Sequence, residues 1–402
     1  MKFGLFYELQ LPRPADQDQW GDTDERRIVQ ETLEQIEVAD KLGFDYVFAV
    51  EHHFLEEYCH LSAPEVLLGA AAARTRKIRL GHGIVQMPPN QNHPARVAER
   101  IATLDLISGG RVEFGTGEGA TITELGGFLT EQRIKKDAWE ESTRECLRMM
   151  TETPYPGYEG EYFSMPERNI IPKPLQKPHP PVWVAASRRE TVMLAARMGI
   201  GALGFGFETP EEAEERVTRY YELVRQIRRP IGKAINPALV TLGNLMCAPT
   251  DAEAVEKGLS GAQFFGFSFG WTHGPVRHGR DNVYREFRRR TEAAASVAAA
   301  ESATENEPED EGARAVYRAG RRGMFIGSPD YIRENVRRYE AAHVDMLMFV
   351  LQCGDRKHEH ILESLELFAR EVMPEFQERH VKQQRWREQQ LDGVAFPVNS
   401  TI

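Results

Sequence analysis

Two adjacent histidines follow a short apolar segment near the start of the chain. Residues 46–50 read as a β-strand, and Glu51, His52 and His53 come directly after it. An imidazole exchanges protons near neutral pH, and a neighbouring carboxylate such as Glu51 can fix its tautomer or raise its pKa. Because successive strand residues point to opposite sides, at most one of the two histidines faces a site at the strand end. The pair predicts acid–base chemistry, with two ordinary structural histidines as the alternative.

A metal site is a weaker interpretation of the same residues. Zinc needs three or four side chains that converge on one point, and neighbours on a strand cannot both do so. We therefore expect no metal at the set Glu51, His52, His53, His60 and His93.

A second candidate site follows the apolar segment at residues 182–186. The segment ends in Ala186, continues with Ser187 and Arg188, and leads at once into a helical pattern with Thr191 in its first turn. A helix start offers free backbone N–H groups and the positive end of the helix dipole, and hydroxyl and guanidinium groups add further donors. The pattern predicts a phosphate site, and it is equally compatible with Ser187 acting as the helix N-cap.

Glycines alternate at the end of a third apolar segment, in the run GTGEG at residues 115–119. Such a pattern lets a flat ligand approach the backbone closely. The run lacks the helix entry of a dinucleotide fingerprint, so an ordinary turn between a strand and a helix explains it as well.

Strand-like and helix-like segments alternate along most of the chain. Eight such units predict parallel pairing and an α/β fold, the closed (β/α)8 TIM barrel, in which all residues that end the strands share one face. A doubly wound open sheet is the alternative, but it usually carries a glycine-rich loop after its first strand, and residues 7–14 contain no glycine. We expect a single barrel domain over residues 1–380 and a C-terminal tail over residues 381–402.

The alternation breaks between the seventh and eighth strands, where we expect the largest insertion. The run GAQFFGFSFGWTHG leads there into a basic segment and then an Ala/Glu-rich run. The last part of that run is acidic and of low complexity, which predicts a flexible insertion near residues 258–312. Exposed aromatic side chains would be a liability, so we expect those of this run to pack on the barrel mouth, as a lid or as a structural plug. They are Phe264, Phe265, Phe267, Phe269 and Trp271.

Composition argues against several classes of partner. The chain has 61 acidic and 50 basic residues and a formal charge of −11, which disfavours a surface that binds nucleic acid or anionic membranes. No window approaches the roughly 20 apolar residues of a membrane span, and the first residues do not read as a signal peptide. The four cysteines are widely spaced, so we expect reduced thiols and a cytoplasmic protein.

Several long motifs resemble the bacterial luciferase-like flavin-dependent monooxygenases. They lie in register over residues 1–250 and 323–376 and read MKFGLF, GFDYVFAVEHHF, LGHGIVQMP, HPARVAERIATLDLISGGRVEFGTGEG and GSPDYIRENVRRYEAAHVDMLMFV. The resemblance implies an enzyme that uses reduced FMN and molecular oxygen to oxygenate a small or medium organic substrate. It implies a separate NAD(P)H-dependent flavin reductase as a partner, and a homodimer that joins through the helices after strands two and three.

The resemblance also implies roles for residues near the flavin ring. His52 matches the family's catalytic histidine, which assists oxygen activation or proton transfer. Phe6 matches an aromatic residue near the ring. Gly83 and Ile84 fall where the family often has a non-proline cis peptide beneath it.

The phosphate end of the flavin is implied by the same resemblance. Ser187, Arg188 and Thr191 fall on the family's phosphate loop, which begins here at Ala186. Glu118 departs from the pattern, because luciferases carry an arginine there that points towards the phosphate. A carboxylate would repel that group unless Arg188 or the arginine after it supplies the charge.

Two other functions remain open. A reductase that transfers hydride with a deazaflavin uses the same barrel in relatives of this family, and it would not consume oxygen. A non-catalytic flavin-binding subunit is the other alternative, against which the intact His52 and phosphate loop argue.

Overall fold

A closed ring of eight parallel strands forms the centre of the molecule. The computed structural model describes residues 1–204, 208–274, 279, 281–301 and 324–402. Numbering all strands in chain order, those of the ring are β1 (Lys2–Tyr7), β2 (Tyr46–Ala49), β3 (Arg79–His82), β5 (Val112–Gly117), β8 (Val182–Ala186), β9 (Gly201–Gly204), β10 (Leu239–Cys247) and β12 (Met346–Val350). The predicted (β/α)8 barrel is confirmed.

The pairing of the strands closes the ring. β1 pairs with β2 and β12, and β10 pairs with both β9 and β12, so every ring strand has two neighbours. The alternative of an open sheet is therefore wrong. Because all ring pairs are parallel, the carboxyl ends of the strands meet at one mouth, where the candidate residues lie.

Four short strands lie outside the ring. β3 is followed by β4 (Val85–Gln86), which pairs with the far end of β5. β6 (Tyr158–Glu159) and β7 (Ser164–Met165) form a hairpin in the connection between β5 and β8. β11 (Met324–Gly327) pairs with β10 beyond the ring.

Helices surround the ring, and prolines and glycines mark several of their ends: one helix begins at Pro94 and is ended by Gly109, and another is ended by Gly199, both glycines having positive φ. They are α1 (Asp24–Leu42), α2 (Pro64–Arg74), α3 (Pro94–Ser108), α4 (Ile122–Gly127), α5 (Lys135–Thr151), α6 (Arg189–Met198), α7 (Pro210–Val224), α8 (Asp251–Thr272), α9 (Val283–Glu301), α10 (Pro329–Ala341), α11 (His358–Glu371) and α12 (Met373–Leu391). None of these described helices is long and apolar enough to cross a bilayer.

The segment between β10 and β12 contains α8, α9, β11 and α10. Much of the insertion expected near 258–312 is therefore helical, while residues 302–312 lie outside the described part of the chain. Its aromatic residues join α8 to two neighbours: Phe265 and Phe269 pack against Tyr58, while Phe264 packs against Phe287 of α9. The aromatic run thus connects the insertion to the loop after β2.

The end of the chain covers the amino-terminal side of the barrel. α12 crosses the expected boundary at residue 380. The hydroxyl of Tyr46 donates to that of Thr401, which donates to the buried carboxylate of Glu113, and the Arg387 guanidinium donates to the backbone oxygen of Ile402. The last residues therefore close the bottom of the ring, and the opposite mouth remains the place for a site.

Candidate active site at the barrel mouth

The His52 imidazole lies between two buried carboxylates. Its Nδ1 is 2.9 Å from Oε1 of Glu124, and its Nε2 is 3.7 Å from Oε2 of Glu8. Both glutamates are fully buried, whereas 19% of the His52 side chain is exposed. The ring is thus held from two sides and accessible from the mouth.

The carboxylate of Glu124 is held in place by hydrogen bonds from residues other than His52. It lies in the first turn of α4, where the Thr121 hydroxyl donates to its Oε2 (2.8 Å) and accepts from its backbone N–H, which is a capping box. The side-chain amide of Gln86 donates to its Oε1 at 2.6 Å. An anion held by these donors can only accept from His52, so the Nδ1 atom of the imidazole carries a proton.

The surroundings move the pKa values of all three groups. Burial raises the pKa of Glu124, but His52, Thr121 and Gln86 outweigh it and bring it to about 2. Burial lowers the pKa of His52, but Glu124 and Glu8 outweigh it and bring it to about 9. For Glu8, burial dominates and raises the pKa to about 7, against the opposing effects of His52 and Tyr58. The site therefore holds an imidazolium, one permanent anion and one carboxyl that titrates near neutral pH.

His53 points away from this cluster, as the alternation along the strand end predicted. Its Nε2 lies 3.0 Å from Oε1 of Glu51, and its ring meets Phe128 edge-on. Glu51 therefore does not fix the tautomer of His52, because it projects to the opposite side of the backbone. Glu124 fixes the tautomer of His52 instead. Glu124 was not identified from the sequence, although the spacing from Thr121 to Glu124 is that of a capping box.

The second candidate site begins where β8 ends. Ala186 is buried, Ser187 and Arg188 are exposed, and α6 starts at Arg189. The N-cap is Arg188 without a side-chain capping bond, so the interpretation of Ser187 as the N-cap is wrong. No described residue hydrogen-bonds the hydroxyl of Ser187 or Thr191. The two hydroxyls and the N-terminus of the helix are groups of the kind that bind anions.

Glu118 is balanced by cations instead of facing the phosphate loop alone. Its Oε1 lies 3.1 Å from Nζ of Lys135 and 3.8 Å from Nη2 of Arg188. Arg189 forms an ion pair with Glu215 on α7. Of the two arginines, Arg188 is therefore the one beside the end of β5, and the repulsion expected from Glu118 is already offset by Lys135.

Phe6, Gly83 and Ile84 form the wall of the barrel below the mouth. A Cβ atom on Gly83 would lie 3.0 Å from Cε2 of Phe6, and one on Gly117 would lie 2.5 Å from Cδ1 of Ile84. The space above Gly117 is thus filled by a protein side chain, so internal packing accounts for the glycine at this position.

The peptide bond between Gly83 and Ile84 is trans. In the described chain the cis peptide bonds all precede prolines, so the expectation of a cis bond at this position is wrong. A non-proline cis bond costs about 2.5–4 kcal/mol, and the trans form already lets Gly83 pass close to Phe6.

Metal binding has no support in the described part of the molecule. No group of three or more His, Cys, Asp or Glu side chains there is arranged to hold an ion. Carboxylates and imidazoles at the mouth are instead paired with one another.

Comparison with known proteins places this geometry in a family. The sequence model of the luciferase-like monooxygenase family matches residues 1–346. The chain belongs to this family. The luciferase-like resemblance expected from the sequence motifs is therefore confirmed.

Individual members of the luciferase-like family cover the chain to different extents. The oxygenase component of the flavin-dependent trigonelline monooxygenase of Acinetobacter baylyi is 26% identical over 95% of this chain and 97% of its own length. The F420-dependent glucose-6-phosphate dehydrogenase of Microbacterium testaceum is 30% identical over 45% of this chain and 54% of its own length. Several other curated relatives are also matched over less than two thirds of their length.

A solved structure extends the likeness to the whole fold. The monooxygenase RslO1 of Streptomyces bottropensis has a TM-score of 0.70 and 25% identity, over 94% of this chain and 100% of that one. The barrel and its surrounding helices are therefore those of a luciferase-like protein. The named relatives use either flavin or F420, so the family alone leaves the cofactor open.

Proposed function

We propose that the protein is the oxygenase component of a two-component flavin monooxygenase. It would use reduced FMN from a separate NAD(P)H-dependent reductase, together with molecular oxygen, to oxygenate a small or medium organic substrate. The observation that carries the proposal is that the His52 cluster and the start of α6 lie at one mouth and are connected through β4 and β5. The side chain of Gln86 in β4 donates to Glu124, and its backbone pairs with Gly117 of β5. The next residue of the chain after Gly117, Glu118, contacts Arg188 at the start of α6.

The residues at the start of α6 fit an FMN phosphate. The hydroxyls of Ser187 and Thr191 have no hydrogen-bond partner among the described residues, Arg188 is an exposed cation, and the helix N-terminus adds backbone donors. Lys135 offsets the charge of Glu118, so the pocket does not present a bare carboxylate to the anion. Ser187, Arg188 and Thr191 would hold the phosphate, with Ala186 beside them.

The other end of the cofactor would lie against the wall formed by Phe6, Gly83 and Ile84 below the mouth. Bound reduced flavin supplies the electrons that activate oxygen. His52 would hold or release a proton at Nε2, because Glu124 occupies Nδ1. The aromatic residues of α8 that pack on Tyr58 would help to exclude water from the mouth.

Hydride transfer with F420 is the second candidate. It is supported by the 30% identity to an F420-dependent dehydrogenase, and an acid–base histidine serves that chemistry as well. The near-complete coverage of the trigonelline enzyme favours the monooxygenase.

We also propose a homodimer formed through α2 and α3. These helices contact each other and leave apolar side chains exposed, namely Val66 (70%), Leu106 (46%) and Ile107 (59%). Exposed apolar side chains on two neighbouring helices favour an interface there. The four cysteines are free thiols in the described structure, which supports a reducing compartment and hence the cytoplasm.

The proposal is tested by rapid mixing of the protein and reduced FMN with oxygenated buffer. We expect flavin reoxidation to become dependent on the protein, whereas reduced F420 under the same conditions should be left unchanged by oxygen. Titration with FMN supplies the second reading: S187A/T191A should bind FMN about tenfold more weakly, the scale of one or two lost hydrogen bonds to a charged group. Tight binding of F420 with no effect on FMN reoxidation would support the dehydrogenase instead.

A further inference from the structure

Glu8 is a buried carboxylate that the proposed function does not use. It follows β1 and is fully inaccessible to solvent. The Tyr58 hydroxyl donates to its Oε1 at 2.8 Å, whereas its Oε2 has no hydrogen-bond partner among the described residues. Buried carboxylate oxygens nearly always have a donor. Nε2 of His52 lies 3.7 Å from this oxygen.

We propose that Glu8 exchanges a proton with His52 at Nε2 while Glu124 keeps the Nδ1 proton in place. The imidazolium gives its Nε2 proton to Oε2 of Glu8, which leaves a neutral imidazole and a protonated carboxyl. The reverse transfer restores the charged pair. The step needs no other reactant, and a small tilt of the ring or one bridging water closes the distance between the two atoms.

The groups around the pair leave Glu8 as the one that changes charge near neutral pH. Glu124 has a pKa of about 2 and stays anionic, and it is the strongest partner of the imidazole. Glu8 itself has a pKa of about 7, because burial raises it more than His52 and Tyr58 lower it. Tyr58 and Cys59, which also face Glu8, have pKa values raised mainly by burial and stay neutral.

Glu8 is thus a positioning residue that acts through His52. When its carboxyl is charged, the imidazolium is held between two anions. When Glu8 has taken up a separate proton and the imidazolium keeps its own, only Glu124 holds the ring, and the Nε2 proton can be given to a group in the mouth. The effect on turnover rests on the proposed function, but the exchange itself is a property of the protein without cofactor. It can therefore be measured even if the reaction is a different one.

The test is ¹⁵N NMR titration of histidine-labelled protein without cofactor, with the His52 signals assigned by their loss in H52N. The chain has 12 histidines, so this assignment is required. In the parent protein we expect the Nε2 shift of His52 to change with a midpoint near pH 7, where Glu8 titrates. In E8Q that step should vanish, and the imidazolium should lose its proton about one pH unit lower because one neighbouring anion is gone.

Two further variants keep the test decisive. E124Q should retain the step near pH 7 while losing much of the upward displacement of the His52 titration. Y58F removes the hydrogen bond that stabilises the charged form of Glu8, so the step should move to higher pH, and this variant serves if E8Q does not fold. A His52 titration that is identical in the parent, E8Q and Y58F would overturn the proposal. A coupled titration without any reaction of reduced FMN would leave this inference standing and reject only the proposed function.

Discussion

Arg188 Nη2 lies 3.8 Å from Glu118 Oε1, and this contact joins the loop after β8 to the loop after β5. Glu118 has a second partner in Lys135, so Arg188 can turn towards an anion without leaving the carboxylate unpaired. A departure from the family pattern at Glu118 is thus compensated by cations already in place. The phosphate end of the proposed site depends on this arrangement.

The two neighbouring arginines should behave differently in FMN binding. R188A removes the exposed guanidinium beside Glu118, and we expect FMN affinity to fall about tenfold, the scale of one charge-assisted hydrogen bond. R189A is the matched control, because that arginine pairs with Glu215 on α7, and its affinity should stay within twofold of the parent. Fluorescence titration with FMN measures both. Equal losses in the two variants would place the phosphate elsewhere.

His52 should be needed for turnover and not for cofactor binding. H52N keeps a polar side chain but removes proton exchange, so we expect turnover to fall about a hundredfold, the usual scale of general acid–base catalysis. FMN affinity should be close to unchanged, because His52 lies away from the start of α6. H53N is the control, since His53 pairs with Glu51 on the other side of the strand end. An unaffected rate in H52N would remove His52 from the reaction.

The bond between His52 and Glu124 should make stability depend on pH. The folded pKa of His52 is raised from 6.5 to about 9, so the stabilisation is complete below pH 6.5 and is lost as the pH rises through 9. We expect the free energy of unfolding to fall by about 3 kcal/mol over this window. In E124Q this loss should largely disappear.

The bond between His52 and Glu124 should also make the free energy of unfolding depend on pH in the acid range. The pKa of Glu124 is lowered from 4.5 to about 2, so its stabilisation is present above pH 4.5 and is lost as the pH falls towards 2. Urea unfolding of the parent and E124Q at pH 3, 6 and 9 measures both windows. Parallel curves for the two proteins would show that the bond does not contribute to stability.

Gly81 should tolerate no larger side chain. A Cβ atom there would lie 2.3 Å from Cδ1 of Phe48, whose ring packs edge-on against Trp183 inside the barrel. We expect G81A to lower the free energy of unfolding by about 1–3 kcal/mol, the cost of overpacking a core. G266A in α8 is the control: that glycine is exposed with no atom within 4 Å of the added methyl, and its free energy of unfolding should rise by about 0.5–1 kcal/mol. A thermal shift of the same sign in both would contradict this.

The barrel could be predicted because its evidence is local. Each ring strand is an apolar run followed by a periodic helix. Pro94 and Gly109 at the two ends of α3, and Gly199 at the end of α6, mark helix ends in the sequence. His52 and the start of α6 were found for the same reason, since both lie directly after a predicted strand. The rule that strand ends share one face then placed them at a common mouth.

The partners of His52 could not be predicted in the same way. Glu124 lies 72 residues further along the chain and Glu8 lies 44 residues before it, so their approach depends on ring closure and on the position of the short helix α4. Long-range side-chain contacts leave little periodic signal. The docking of residues 398–402 beneath the barrel was missed for the same reason, because a polar tail with no pattern reads as a free end.

The most direct test of the proposed function is a crystal structure of the protein with FMN. We expect the phosphate within hydrogen-bond distance of Ser187 and Thr191 at the start of α6, and the ring at the mouth next to His52 and above Phe6. A phosphate bound far from α6, or a ring that His52 cannot reach, would contradict the assignment of this mouth as a flavin-dependent active site.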